Sequence, residues 1–188
     1  MCREIANTSC FQQLTCLKFN QNGTILTLAD SAGRTRLIDM EKLKKIRSYR
    51  VHTSRIGCIE HTGNWGFLTG SKDSSIVHND IRVKNPDVLT ILAHKVEVCG
   101  LTNQHHDVAS SGNDGKINIW DLRKSTQFQS LKLFTGGVKA IQWCPWKVGQ
   151  LVAAGGSKDH KLLFWNGNTG EVDRVFDAYS QVTALRLR

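Results

Sequence analysis

Polar and apolar residues alternate along the segment 42–55, where Leu43, Ile46, Tyr49 and Val51 stand between positively charged residues. Such alternation is typical of a β-strand with one face in solvent, because successive side chains of a strand point to opposite sides. No segment shows the sustained 3.6-residue periodicity of a helix. The pattern therefore predicts an all-β protein, with an outer strand that carries Lys42, Lys44, Lys45, Arg47, Arg50 and Arg55.

One four-residue pattern recurs along the chain and indicates its architecture. It is Leu37-Ile38-Asp39-Met40 in the first copy and Ile119-Trp120-Asp121-Leu122 in the third. The copies span residues 37–40, 78–81, 119–122 and 164–167. Their successive spacings are 41, 41 and 45 residues. A period of this size, with a Trp-Asp pair closing the third strand, is typical of the four-stranded blade of a WD-repeat β-propeller.

The predicted fold is an all-β WD-repeat β-propeller of about four blades plus one strand. After an N-terminal extension over 1–12, the partial propeller spans 13–188. Its repeats are placed at about 13–52, 53–94, 95–136 and 137–179, and residues 180–188 are expected to form the first strand of a fifth. A WD-repeat ring closes with about seven blades, so this arrangement is incomplete relative to such a ring and leaves two strand edges open.

A histidine and a turn aspartate precede the Trp-Asp position in the third repeat. Asp114 lies seven residues before Asp121, in a turn between two strands, and His94 precedes Asp114 by 20 residues. In WD-repeat proteins such a histidine, turn aspartate and tryptophan form a buried hydrogen-bond network, and the resemblance implies this role for His94, Asp114 and Trp120. The corresponding positions of other repeats are His52, Asp73, Asp159 and Trp165. We expect these residues to be structural rather than catalytic.

Two repeats depart from this pattern. The first has Ala32 at the position of the turn aspartate and Asp30 two residues earlier. The fourth has Thr135, Gly136 and Gly137 where its histidine is expected. We expect the blades that lack a member of the tetrad to be locally less rigid.

An ordered series of short words within the repeats resembles one family of WD-repeat proteins. The words lie at 55–57, 79–82, 97–101, 111–114, 137–146 and 180–182. The word Ser111-Gly112-Asn113-Asp114 is one example. Together they resemble the Fizzy family, the WD-repeat activators of the anaphase-promoting complex, over about residues 14–188. The blades present resemble the second to fifth of that family's seven, followed by the opening of the sixth.

The resemblance implies a protein-binding receptor and not an enzyme. In the family the propeller holds short extended motifs of cell-cycle proteins, called degrons, and presents them to a ubiquitin ligase in the nucleus and cytoplasm. Two positions that bind the KEN-type degron carry over as Asn113 and Gln181, whose amides offer both donors and acceptors to a peptide. The loop 155–159 is one residue shorter than the family's and carries Lys158, which is expected to pair with a degron glutamate.

Other parts of the family have no match in these 188 residues. They are the D-box groove between the first and last blades, the N-terminal C-box and the C-terminal Ile-Arg tail. We therefore expect a fragment or short variant of an activator, whose partners are degron-bearing cell-cycle proteins and subunits of the anaphase-promoting complex. The alternative is a generic WD-repeat interaction scaffold that has lost degron binding. Open strand edges predict self-association in either case.

Composition and charge narrow the function classes further. The chain has 25 Lys and Arg against 16 Asp and Glu, a formal charge of +9. Because many of these positive residues lie on one outer strand, and no zinc finger or aromatic RNA-binding motif is present, nucleic acid is not expected as a partner. The six cysteines form no C-x-x-C pair, and the adjacent His105 and His106 fit an exposed turn better than a metal site. No cofactor, metal or membrane contact is expected.

Overall fold

The computed structural model describes residues 13–83, 87–124 and 126–187. The predicted N-terminal extension over 1–12 lies outside the described residues. The chain divides into two compact units, Met1–Ile91 and Leu92–Arg188. Within the described ranges, no helix is long and apolar enough to cross a membrane.

The described chain forms sixteen β-strands, named here in chain order. They are β1 (Leu14–Phe19), β2 (Ile25–Asp30), β3 (Arg34–Asp39), β4 (Lys44–Arg50), β5 (Ile56–His61), β6 (Gly66–Ser71), β7 (Ser75–Asp80), β8 (Asp87–Leu92), β9 (Val98–Gln104), β10 (Asp107–Gly112), β11 (Lys116–Asp121), β12 (Thr126–Lys132), β13 (Val138–Trp143), β14 (Gln150–Gly155), β15 (Lys161–Asn166) and β16 (Glu171–Asp177).

The strands form four sheets of four, and each sheet keeps its strands in chain order. The sheets are β1 to β4, β5 to β8, β9 to β12 and β13 to β16. Consecutive strands pair antiparallel, as in β2 with β3 and β14 with β15. The predicted all-β fold of four blades is therefore confirmed. Short turns suffice between strands, because antiparallel neighbours need no crossover connection.

Burial follows the place of each strand within its blade. The second strand β14 is buried at all six positions, whereas the outer strand β16 is exposed at all seven. A strand that is covered on both faces needs a continuous run of apolar or small residues, and Gln150–Gly155 supplies one from its second position onward. The outer strand β4 exposes Lys44, Lys45 and Arg50, while Tyr49 packs against the apolar core.

Each unit buries an apolar core between its two sheets. In the first unit Ala29 and Leu37 of one sheet pack against Ile56, Ile59 and Phe67 of the next. The core of the second unit contains Ala109, Ile117 and Ile119 from one sheet and Val138, Ile141, Trp143, Leu151 and Trp165 from the next. Burial of this apolar area is the main force that holds neighbouring blades together.

Residues 180–187 differ from the expected strand, because they pair with no other strand. The backbone N–H of Leu187 donates to Gln142 Oε1 at 2.8 Å. One blade earlier, the N–H of Trp143 donates to Thr102 Oγ1 at 3.3 Å in the same way. The segment thus lies where a first strand would lie. It forms no ladder because a first strand pairs with a second strand, and none follows it among the described residues.

Candidate functional site

Asn113, the first predicted peptide-binding residue, is exposed in the turn between β10 and β11. Its Oδ1 accepts a hydrogen bond from Lys139 Nζ at 2.8 Å. Its Nδ2 donates to Glu97 Oε2 at 3.2 Å. The amide is therefore held at both ends, by a cation on the oxygen side and an anion on the nitrogen side.

Two glycines form the surface between Asn113 and Lys158. A Cβ atom added at Gly137 would lie 2.5 Å from Asn113 Oδ1, and one added at Gly136 would lie 3.0 Å from Lys158 Cβ. Side chains at these two positions would therefore push the neighbouring residues away. The structure brings Asn113, Lys139 and Lys158 around this glycine pair, and Lys158 is exposed in the turn before β15.

Gln181, the second predicted position, is exposed in the segment after β16. Within the described residues no hydrogen bond joins its side chain to Asn113 or Lys158. Asn113, Lys139 and Lys158 thus form one cluster on two adjacent blades, and the Gln181 amide is not hydrogen-bonded to it.

Glu97 and Lys139 were not predicted as site residues. Both occur in the family words, Glu97 just before β9 and Lys139 as the second residue of β13. The words alone did not show that they meet, because 42 residues separate them in the chain. Lys139 Nζ also lies 3.7 Å from the sulfur of Cys99, which is half-buried beside it.

A hydrogen-bond relay behind Asn113 fixes the turn that carries it. His94 Nδ1 lies 3.0 Å from Asp114 Oδ1, and His94 Nε2 lies 3.0 Å from Ser110 Oγ. Trp120 Nε1 donates to the same Ser110 oxygen at 3.0 Å. The structure therefore brings together the three residues of the third repeat that the WD-repeat resemblance named. It adds Ser110, which sequence reasoning missed.

Burial and hydrogen bonds shift the pKa values of His94 and Asp114 in this relay. Burial lowers the pKa of His94, although the carboxylate of Asp114 opposes this. Burial also acts to raise the pKa of Asp114, but hydrogen bonds from the Lys95 N–H, the Lys116 N–H and His94 bring it below its usual value. A neutral His94 beside a carboxylate carries its proton on Nδ1 and donates it to Asp114, so Nε2 accepts from the Ser110 hydroxyl.

The second repeat builds the same relay with two substitutions, Thr69 for Ser110 and Asn79 for Trp120. His52 Nδ1 lies 3.0 Å from Asp73 Oδ2, and His52 Nε2 lies 2.9 Å from Thr69 Oγ1. Asn79 Nδ2 donates to Thr69 Oγ1 at 3.3 Å and so takes the place of the tryptophan. Burial opposes ionisation of Asp73, but hydrogen bonds from Ser75 and the charge of His52 lower its pKa to about 2.

The fourth repeat lacks two members of the relay, and one sequence assignment for it was wrong. Phe134, not the segment 135–137, occupies the histidine position, two residues after β12 as His94 is after β8. The error arose because the β13–β14 connection has six residues and the turn before β15 has five, whereas the corresponding segments of the third repeat have two and three. Ala153 stands where the third repeat has Ser110, so the buried Trp165 Nε1 has no hydrogen-bond partner.

Turn aspartates hold their turns even where the relay is incomplete. Asp159 accepts hydrogen bonds from the N–H groups of Thr135 at 3.0 Å and Gly136 at 2.8 Å. In the first repeat Asp30 Oδ1 accepts from the N–H groups of Ala32 and Arg34, both at 2.9 Å. An aspartate two residues early therefore still closes the turn of that repeat.

Comparison with known proteins agrees with this architecture. Residues 4–64 match the family described as the WD40 domain of anaphase-promoting complex subunit 4. Residues 86–121 match the family described as the WD domain, G-beta repeat. Each match covers a minority of the chain, so these two families identify the repeat type.

Curated relatives match almost the whole chain. The WD repeat-containing protein slp1 of Schizosaccharomyces pombe is 33% identical over 186 residues, which are 96% of this chain and 37% of the relative. The anaphase-promoting complex subunit cdc20 of Dictyostelium discoideum is 34% identical and covers 92% of this chain and 36% of the relative. Protein FIZZY-RELATED 3 of Arabidopsis thaliana is 32% identical and covers 90% and 35%. The chain spans little more than a third of the length of these relatives.

Solved structures of related proteins share this fold. A chain in the crystal structure of a mitotic checkpoint complex superposes with a TM-score of 0.87 at 34% identity, over 91% of this chain and 53% of that chain. The structure of U3-55K superposes at 0.78 with 18% identity and so shows the fold alone. The resemblance read from the sequence words is confirmed. Over nearly all of its length, the chain is similar to the Fizzy-type WD-repeat proteins.

Proposed function

We propose that this chain is part of a substrate-recognition adaptor of the anaphase-promoting complex, which binds short degron peptides of cell-cycle proteins. The surface that would receive a KEN-type degron comprises Asn113, Lys158 and Gln181. Two relatives support the assignment: the anaphase-promoting complex subunit cdc20 of Dictyostelium discoideum and Protein FIZZY-RELATED 3 of Arabidopsis thaliana. An adaptor of this kind binds substrates and leaves the chemistry to the ligase.

The observation that carries the proposal is that the Asn113 side chain is exposed and yet held in one orientation by hydrogen bonds. Its amide is exposed at the surface, yet hydrogen bonds at 2.8 Å and 3.2 Å fix its orientation. One hydrogen of Nδ2 and one lone pair of Oδ1 remain for a ligand. An ordered side chain loses little conformational entropy on binding, which favours recognition of a flexible peptide.

Titration of a labelled peptide tests the proposal. A peptide with a Lys-Glu-Asn core should bind the 188-residue chain, and the double variant Asn113→Ala, Gln181→Ala should lose about 10- to 100-fold in affinity, corresponding to about 1–3 kcal/mol. Asn64→Ala is the matched control, because Asn64 is an exposed amide in the turn between β5 and β6. Equal binding by the double variant and the parent chain would contradict the site.

The alternative of a generic scaffold predicts a different pair of results. Such a scaffold would bind no degron peptide and would bring down no subunit of the anaphase-promoting complex from a cell extract. An adaptor that has kept its ligase contacts would co-purify with those subunits. Loss of co-purification together with loss of peptide binding would replace the adaptor assignment with the scaffold.

A second copy of the chain is a further proposed partner. Leu14, Leu17 and Phe19 on β1 are 46%, 60% and 47% exposed. The same strand positions of β13 hold Val138, Ile141 and Trp143, which are buried against the preceding blade. Side chains of this kind in a first strand are suited to pack against a blade face, and exposed apolar strand faces promote association. Sedimentation should detect oligomers of the parent chain, and Leu17→Lys should shift them to monomer; an unchanged distribution would refute this contact.

A further inference from the structure

Three separate chain segments converge on the Asn113 amide. Glu97 precedes β9, Asn113 lies in the turn after β10, and Lys139 is the second residue of β13. Lys139 Nζ reaches Asn113 Oδ1 at 2.8 Å, and Asn113 Nδ2 reaches Glu97 Oε2 at 3.2 Å. The chain thus builds a row of cation, carboxamide and anion across two neighbouring blades.

The two charged residues decide which way the amide faces. A free asparagine amide can rotate by half a turn and exchange its donor and acceptor sides. Here only one orientation places the amide oxygen against the Lys139 ammonium and its nitrogen against the Glu97 carboxylate, since hydrogen bonds to charged groups are stronger than neutral ones. A ligand therefore meets a donor and an acceptor in fixed places, the arrangement that complements a carboxamide or a backbone peptide group.

The charge around the amide oxygen is positive. Lys139 lies on one side of Gly137, and Lys158 lies on the far side of the glycine pair, where a Cβ at Gly136 would be 3.0 Å from Lys158 Cβ. Because Gly136 and Gly137 have no side chains, nothing at these two positions separates the lysines from a ligand that lies on the surface. The Lys139 ammonium beside a fixed acceptor, with Lys158 on the neighbouring turn, favours a ligand that brings a carboxylate next to its carboxamide or peptide group.

We propose that Lys139 is a specificity-determining residue of this surface and that Glu97 is the positioning residue for Asn113, so that the surface selects extended peptides with a carboxylate beside a carboxamide. The proposal rests on the function proposed above and assigns to it two residues of this chain. Lys139 acts in two ways: it orients the Asn113 amide, and it attracts the carboxylate of the ligand. Glu97 acts through Asn113 alone.

Peptide-binding anisotropy on the full chain separates these roles. The probes are a labelled peptide with a Lys-Glu-Asn core and the same peptide with Lys-Gln-Asn. We expect Lys139→Met to weaken binding of the first peptide about tenfold and to abolish the preference for glutamate over glutamine. Lys139→Arg should keep that preference, because it keeps the charge. Glu97→Gln keeps an acceptor for Asn113 and should bind within about twofold of the parent, whereas Glu97→Leu should weaken both peptides alike.

A labelling experiment gives a second readout. Cys99 is half-buried 3.7 Å from Lys139 Nζ, and its thiolate displaces iodide from iodoacetamide to form a thioether. Bound peptide should cover this thiol and slow its alkylation several-fold, as measured by peptide mapping. Glutamine peptide at the same concentration should protect it less, and protection should fall with Lys139→Met.

The outcomes distinguish this inference from the proposed function. If Asn113→Ala loses the peptide while Lys139→Met binds both peptides like the parent, the inference is overturned and the proposed function stands. If the parent chain binds neither peptide, both are overturned. Thermal melts of each variant establish that it is folded, and Lys139→Arg, which removes no charge, identifies any loss that follows from disturbed packing alone.

Discussion

Replacing Ser110 by alanine is expected to lower the free energy of unfolding by about 2–4 kcal/mol. Ser110 is fully buried, and its hydroxyl joins two buried groups. It accepts the N–H of Trp120 at 3.0 Å and donates to His94 Nε2 at 3.0 Å. Alanine removes this oxygen atom and leaves His94 Nε2 and Trp120 Nε1 without a hydrogen bond.

The magnitude follows from those two orphaned groups. A buried donor or acceptor that loses its partner costs about 1–3 kcal/mol. The lower half of that range applies to both groups, because the fourth repeat already tolerates Trp165 with an unpaired buried N–H and because His94 keeps its Nδ1 hydrogen bond to Asp114. His94 is 8% exposed and Trp120 is 5% exposed, so water does not readily replace the serine.

Urea unfolding followed by far-ultraviolet circular dichroism measures the effect. Ser111→Ala is the matched control, since Ser111 is the next residue of the same strand, equally buried, and its hydroxyl has no hydrogen-bond partner. It should change the free energy of unfolding by less than about 0.5 kcal/mol. In a Trp120→Phe background the cost of Ser110→Ala should fall to about 1–2 kcal/mol, because only His94 is then left unpaired.

Two results would refute this reasoning. Equal urea midpoints for Ser110→Ala and Ser111→Ala would mean that the relay contributes nothing to stability. Strict additivity of Ser110→Ala and Trp120→Phe would mean that the serine and the indole do not interact in solution. Either result would also remove the relay as the reason that the Asn113 turn is rigid.

Three further predictions concern glycine geometry, pH and the incomplete fourth repeat. Gly33→Ala should destabilise the chain by about 3 kcal/mol or more, because Gly33 has φ of +80° and an added Cβ would overlap the backbone carbonyl of His52. Gly23→Ala, at φ +69° in open space, should cost about 1 kcal/mol, and urea midpoints compare the two. Burial lowers the pKa of His61 from 6.5 to about 4, so its contribution to stability is present above pH 6.5 and is lost as pH falls towards 4. The stability lost between pH 7 and pH 5, measured by thermal melts, should be about 2 kcal/mol greater in the parent than in His61→Gln, in which other buried histidines such as His94 still titrate. Ala153→Ser should give the Trp165 N–H an acceptor and raise stability by about 1 kcal/mol, and a lower urea midpoint would show that the hydroxyl does not fit.

Much of the fold was predictable because its determinants are local. The 41-residue spacing of Leu37-Ile38-Asp39-Met40 and its later copies gave the number of blades. A strand needs only about six residues of suitable pattern and a turn residue at each end, so the strands of each repeat can be predicted from the residues of that repeat alone. The strand was expected over 180–188, and its described part, 180–187, forms no strand for the opposite reason: strand pairing requires a partner elsewhere in the chain.

The candidate site was predictable only in part. Asn113 and Lys158 were predicted from short words, and they lie around one glycine pair. Glu97 and Lys139 were missed, although both were visible in the same words, because their meeting with Asn113 depends on the register of two adjacent blades. The histidine position of the fourth repeat was misassigned to 135–137 because the β13–β14 connection and the turn before β15 are both longer than their counterparts in the third repeat.

The sequence by itself determined the period of the repeat, the all-β class and the histidine, aspartate and tryptophan of the third repeat, since each depends on residue types at fixed short spacing. Only the tertiary structure decided that Ser110 links His94 to Trp120 and that Glu97 and Lys139 hold the Asn113 amide. Such contacts cross between strands and blades, and their geometry depends on how apolar faces pack. The repeats can therefore be identified from the sequence, whereas the contacts around Asn113 depend on how two neighbouring blades pack.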